Sequence, residues 1–436
     1  MTSSSRAIPI SMLDRTIPPI IQPTSFTFRK PTRHVLANGM PVYVVESSGQ
    51  EEVVRIDFVF AAGQWHQSQK LQALFTCRML REGCRGYSAA AFAERLDYYG
   101  AWMELSVGMN RTFVALYTLK KFFAQTVELV QRMLFEPAYS EEQFGTIRAN
   151  NKAQFLVNMQ KGDICALRAL RKSVYGPSHP CGMAAEPEDY DALQVDQLRT
   201  FYTRYYGSCN CAIYLSGSID EGIMQQVERL FGQERWGSVT PVNEVDYRTS
   251  PDVNKRTEIH RPDAVQSSIR MGALLMDVKE EDYFSMRVLT TVLGGYFGSR
   301  LMKSVREEKG YTYHISSDLV TNTSKVLFMV SCEALADKAD EVIDEVRAEM
   351  VRLQTERIPE SELYMVRNYM TGEICRNYEG AFSLTDAYIF MEHLGLPHTH
   401  LEQTMEAIRT ADAEHLQRLA QRYLHPEELY TVVVKP

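Results

Sequence analysis

Residues 204–217, "RYYGSCNCAIYLSG", and residues 422–436, "RYLHPEELYTVVVKP", carry the same message twice. Each reads as the end of an amphipathic helix, a short polar turn, then a strand of β-branched and aromatic residues. The copies stand roughly 220 residues apart, half the chain, which points to one duplicated domain and not to a solenoid.

The elements between the copies repeat in the same order. In the first half, "PVYVVES" and "VVRIDFVFAAG" alternate as strands, helical patterns follow over 70–81 and 89–98, and Ser88 is the expected N-cap of the second. "AWMELSVGMNRTFVALYTL" reads as a hairpin and 121–135 as an amphipathic helix. In the second half, "SSIRMGALL" is a strand, 283–293 a helix, 294–298 a loop and 300–309 a second helix. "YTYHISSDLV" and "KVLFMVSCEA" form a hairpin and 337–354 a long helix. Strands and helices in such blocks predict an α+β fold of two tandem homologous domains, each a mostly antiparallel sheet with helices packed on one face. The expected division is an extended N-terminal arm over 1–32, a first repeat over 33–236, a polar linker with two prolines over 237–255, and a second repeat over 256–436.

Composition narrows the function. The chain has 436 residues, 45% hydrophobic and 23% charged, ordinary for a globular protein of more than one domain. A net charge of −8 argues against a nucleic-acid partner. No run of about 20 apolar residues predicts a membrane span. Pro9, Pro18, Pro19 and Pro23 interrupt the first residues, which therefore read as an arm and not a signal peptide. Eight scattered cysteines without a CxxC pair favour a reducing compartment, the cytoplasm. Cys209 and Cys211 open a strand and read as residues on one face of it, not as metal ligands.

"SVREEKGYTYHISSDL", residues 304–319, joins a charged helical end to an aromatic strand through Gly310. It sets Arg306 and Tyr313 seven positions apart, one on each side of the turn. With "RHVLANGMPVYVVES" near the start and "GGYFGSRLMKSVREEKGYTYHISS" in the second half, the chain resembles the insulinase/pitrilysin-type zinc peptidases, in particular their short, mitochondrial-processing-peptidase-like branch. The resemblance extends over nearly everything after residue 33.

Active members of that family hold zinc through H-x-x-E-H on the first helix of the first domain and a Glu roughly seventy residues on. Two His one helical turn apart share a face and take the metal, and the Glu polarises its water. Placed on that pattern, this chain reads Leu74, Phe75, Thr76, Cys77 and Arg78. Gly145, Thr146 and Ile147 stand where the later Glu is expected. No zinc is therefore expected in this chain.

The second domain of the family supplies an Arg and a Tyr that reach across the chamber to the oxyanion and the substrate carbonyl. Arg306 and Tyr313 match those positions. Gly294 and Gly295 read most simply as a helix end that permits φ > 0, while the resemblance, in which a loop near this stretch contacts substrate, makes Gly294, Gly295 and Gly298 candidate substrate-binding residues; no Lys-Ser/Thr pair follows them, so the stretch is not a phosphate loop. The resemblance thus implies the zinc-less subunit of a heterodimeric metallopeptidase, inactive alone and active with a zinc-bearing homologous subunit on peptides or unfolded proteins. The isolated chain is a possible homodimer. The alternative is a catalytically inactive scaffold or interaction protein of the same fold. Residues 389–393, "IFMEH", imitate the zinc motif without its first His, and His398 and His400 lie in a turn beyond; all three His are expected to serve packing or solvent. No Gly-x-Ser-x-Gly elbow and no nucleophilic Cys context supports another hydrolytic centre.

Overall fold

The computed structural model describes residues 27–47, 49, 52–238 and 247–436. Most of the arm expected over 1–32, and part of the linker expected over 237–255, lie outside the described residues.

The duplication is written in the topology. One sheet has six strands in the order Thr32–Val35, Pro41–Glu46, Cys211–Gly217, Val53–Phe60, Thr112–Leu119, Trp102–Val107. The other has five, in the order Arg256–His260, Tyr430–Lys435, Gln266–Asp277, Lys325–Leu335, Thr312–Val320. Each sheet contains one parallel pair, Pro41–Glu46 with Cys211–Gly217 and Arg256–His260 with Tyr430–Lys435. The other ladders are antiparallel. In both halves the parallel partner is the strand that closes the repeated motif quoted above. The fold is α+β.

The helices form where the sequence signals them. Ala89–Tyr98 begins at Ser88, whose hydroxyl accepts from the Ala91 amide at 3.2 Å. Ala339–Thr355 and Phe123–Phe135 place their apolar stripes on the sheets. The first core joins Ile56, Phe58 and Phe60 to Phe75, Met79, Val130 and Phe201. The second joins Met271, Phe328 and Val330 to Leu289, Val346 and Leu419.

Both sheets are also covered on their other face, and in each case the covering helix belongs to the other half. Gly162–Tyr175 lays Cys165, Ala166, Leu170 and Val174 on Leu327, Val432 and Val434 of the second sheet. Ala381–Leu394 lays Ile389 on Tyr43, Val59 and Tyr214 of the first. This exchange explains why Val53–Phe60 is buried along almost its whole length instead of alternating. It also brings Asp386 to Arg55, which binds Asp57 as well, through a 2.6 Å and a 2.7 Å contact. At the described end of the arm, Phe28 packs edge-on against Tyr378, and the Tyr388 hydroxyl donates to the Arg29 carbonyl.

Candidate functional site

The helix Gln72–Met79 carries the residues that the resemblance sets against the zinc motif. It is entered through Leu71 at φ +69°, a left-handed conformation unusual for a leucine. Phe75, Thr76, Cys77 and Met79 are buried, and burial pushes the Cys77 thiol up to about 12. The Thr76 hydroxyl donates to the Gln72 carbonyl, and the Tyr139 hydroxyl donates to the Thr76 carbonyl at 3.0 Å. Leu74 is half-buried and lines a cavity of about 70 Å³ with Gln64, Gln67 and Lys70. Arg78 is exposed. A protonated buried thiol, a leucine and a guanidinium do not fit a zinc ion, whose ligands must carry free lone pairs. Among the described residues, no group of three or more His, Cys, Asp or Glu side chains is placed to hold a metal.

The histidines late in the second half are used elsewhere. His398 Nε2 lies 2.7 Å from Glu392 Oε1. His400 is buried against Tyr283 and Phe284, and burial lowers it to about 4. Burial, with Arg111 nearby, lowers His393 to about 4.

Arg306 and Tyr313 do come together. Arg306 sits on a π-helical stretch, Met302–Glu308, that ends before Gly310 at φ +67°. Only a residue tolerant of that conformation lets the chain turn so sharply into the strand Thr312–Val320. The Tyr311 amide donates back to the Val305 carbonyl at 3.0 Å and fastens the turn.

The strand then contains one residue too many. Thr312 pairs with Ala334 but Ile315 pairs with Cys332, so Tyr313 and His314 together occupy one place in the ladder. The Thr312 hydroxyl fills the irregularity by donating to the Glu333 carbonyl at 2.6 Å and accepting from the His314 amide at 3.1 Å. Both Tyr313 and His314 face outward as a result, and Tyr313 is 83% exposed.

The Arg306 guanidinium lies 5.1 Å from the centre of the Tyr313 ring and 4.4 Å from that of Phe297. Phe297 is itself 65% exposed. Two solvated rings thus hold one cation. No carboxylate among the described residues pairs with Arg306. Its N–H edge remains the part able to donate to an acceptor.

The glycines divide. Gly294 is buried, and a Cβ there would lie 2.6 Å from the Ser317 amide nitrogen, so it allows the helix end to touch the strand. Gly295 and Gly298 are half-buried, beside Thr291 and the Tyr296 ring. Phe297 was not among the residues read from the sequence. Its only signal was an aromatic residue framed by Gly295 and Gly298, nine positions before Arg306.

Comparison with known proteins bears on both regions. The family model described as the peptidase M16 inactive domain matches residues 192–370, which contain Arg306 and Tyr313 but not the helix Gln72–Met79. An uncharacterized zinc protease of Bacillus subtilis is 22% identical over 93% of this chain and 98% of its own. A non-peptidase homolog from Helicobacter pylori is 22% identical over 58% of each chain. Among solved structures, a peptidase M16 inactive domain from Pseudomonas fluorescens superposes with a TM-score of 0.83 at 22% identity, covering 93% of this chain and 98% of its own. A protease from Helicobacter pylori superposes with a TM-score of 0.84 at 15% identity, covering 94% and 100%. At these identities the structures establish a shared fold.

Proposed function

We propose that this chain, whose residues 192–370 match the peptidase M16 inactive domain and whose relatives include a non-peptidase homolog, is the zinc-less subunit of a two-chain metallopeptidase. Its second repeat, taken as 256–436, donates Arg306 and Tyr313 to a peptide held against a zinc-bearing homologous subunit. The first repeat, taken as 33–236, serves as the wall and not as the metal centre.

The observation that carries this reading is the state of Arg306: stacked between Phe297 and Tyr313, and without a carboxylate partner among the described residues. Stacking against two exposed rings leaves the guanidinium's N–H edge open to an acceptor. An open guanidinium edge beside a phenol suits the charge that develops on a tetrahedral intermediate. Gly294 contributes through packing, while Gly295 and Gly298 shape the loop that carries Phe297.

Co-purification from the native source tests the assignment. A chain of similar size carrying H-x-x-E-H should accompany this one, and mixing the two purified chains should yield zinc-dependent peptide cleavage. This chain alone should cleave nothing. Recovery only with proteins lacking a metal motif, and no cleavage in any mixture, would instead favour the scaffold reading, which the non-peptidase relative supports.

A further inference from the structure

The open edge around Arg306 continues beyond the two rings that hold it. The loop carrying Phe297 is anchored on both sides of that residue. Before it, Tyr296 packs on Tyr369, with ring centres 5.1 Å apart and 31° from parallel. After it, Arg300 donates from Nε and Nη2 to the Glu362 carboxylate at 2.9 and 3.0 Å. Glu362 and Tyr369 belong to one helix, Glu360–Asn377, and stand two turns apart on one face. Met365 lies between them on that face, and both Met365 and Tyr369 are exposed. Phe297, Met365 and Tyr369 thus extend the edge into an apolar strip with Arg306 and Tyr313 at one end. Glu307 and Glu308 follow Arg306 in the chain and are exposed, yet neither pairs with it.

We propose that this strip takes an extended peptide with an acidic side chain two positions from an aromatic or large aliphatic one. Residues two apart on an extended chain face the same way, roughly 7 Å apart, so both reach the strip together. The carboxylate meets the open N–H edge of Arg306, whose planar fork matches two oxygens. The apolar side chain lies on Phe297, Met365 and Tyr369. A methionine adapts its shape to different partners, so the apolar class is broad. Five N–H donors leave Arg306 room for a neighbouring backbone carbonyl as well. A second copy of this chain fits less well, because pairing the strip with itself sets one Arg306 cation against another. The inference names the peptide class for the peptidase reading, and rests on that reading for the view that peptides reach this edge.

Calorimetric titration of the full chain alone tests it. The probe is an end-capped Gly/Ser peptide with Glu-Gly-Phe at its centre, compared with its Gln-Gly-Phe and Glu-Gly-Ala forms. Capped ends leave the Glu side chain as the only carboxylate of the peptide. Each change should weaken binding by about tenfold, the loss expected for one charge-assisted pair or one covered ring. Arg306→Met should abolish the preference for Glu over Gln and keep that for Phe over Ala. Met365→Ser combined with Tyr369→Ser should do the opposite, both measured on variants whose thermal melts show a folded protein. Equal affinity for the Glu and Gln forms would overturn the proposal. So would saturable binding to none of the three at ~10 mM peptide, which would leave the strip to a folded partner. An active complex with a zinc-bearing subunit, in which this chain shows no such preference, would sink the inference and spare the peptidase reading. The preference in the isolated chain, without an active complex in any mixture, would support the peptide site and sink that reading.

Discussion

The helix Gln72–Met79 and the segment from Tyr296 to Tyr313 are the two places that the proposed reading sets against the catalytic parts of the zinc peptidases, and they are built in opposite ways. The first has been absorbed into the core: Phe75, Cys77 and Met79 are buried, and the thiol is held protonated. The second has been kept open: Phe297 and Tyr313 lie in solvent with Arg306 between them. Exposed rings gain little from burial, so folding alone gives no reason to keep them there. The contrast teaches that the helix set against the zinc motif does more than lack ligands: its buried side chains serve the core in a way that opposes metal binding, while the Arg/Tyr edge carries no comparable duty.

The largest effect should come from trying to reverse the first change. Writing the zinc motif back as Leu74→His, Cys77→Glu and Arg78→His forces a carboxylate into the space of a buried thiol. An unpaired buried charge of that kind destabilises by several kcal/mol. Thermal melts should show a loss at least as large as that of Phe75→Ala, about 3–5 kcal/mol for a core aromatic. Elemental analysis should find no zinc in whatever remains folded. A stable triple variant holding one zinc per chain would break the comparison, since the helix would then have lacked only its ligands.

The open edge should respond in function and not in stability. In a reconstituted complex, Arg306→Ala or Tyr313→Phe should each lower turnover by roughly 10²–10³, the usual loss for an oxyanion donor. Melting of the isolated chain should move by no more than about 0.5 kcal/mol, as for other exposed positions. Unchanged turnover with an active partner present would place both residues on the same footing as the buried helix.

Much of this was legible in the chain, and the limits are physical. Ala89–Tyr98 forms where its spacing and Ser88 said it would, because capping is a local property. The 300–309 helix was visible too, but not its π-helical winding over Met302–Glu308, which reflects packing beneath it. In a regular strand Tyr313 and His314 would point to opposite faces. The extra residue before Ile315 cancels that alternation, and no side-chain pattern announces it. The exchange of Gly162–Tyr175 and Ala381–Leu394 between the halves was equally hidden, since a helix stripe does not say which sheet it will meet. Phe297 escaped for a related reason: its role exists only once Arg306 folds over it.

The joint between the halves offers an intermediate test. Arg55 donates from Nε and Nη2 to Asp57 Oδ1, and from Nη2 to Asp386 Oδ1 on the exchanged helix. Burial lifts the Asp57 carboxyl to about 6 even against the Arg55 charge, and its Oδ2 has no partner. A folded pKa above the unfolded value favours the protonated folded form. The stability this contributes is full below about pH 4 and is lost as the pH rises through about 6. His393 and His400, depressed to about 4, act in the opposite sense over an overlapping range, so the raw pH profile blends them. The difference between Asp57→Asn and the unaltered chain isolates the carboxyl. It should shift in favour of the variant by up to about 3 kcal/mol between pH 4 and pH 7, read from denaturant melts. Parallel curves would mean that the joint holds no such stored charge, and that the first half is rigid for apolar reasons alone.

The smallest effect is the most discriminating, because it compares one residue type in the two regions. Phe75 and Phe297 are both phenylalanines beside a proposed site position, one in the core and one 65% exposed. Phe297→Ala should leave melting within about 0.5 kcal/mol, far from the loss expected of Phe75→Ala. It removes one of the two rings on Arg306, an exposed cation–π contact of about 0.5–1 kcal/mol. Turnover in the complex should therefore fall by up to about fivefold through kcat, with KM little changed, if the ring only orients the guanidinium. Phe297→Trp should restore it, since a larger π-face holds the cation at least as well. A fall in KM-dependent binding, unrescued by Trp, would make Phe297 a peptide contact in its own right. An unchanged rate would show that Tyr313 alone suffices to hold Arg306 in place.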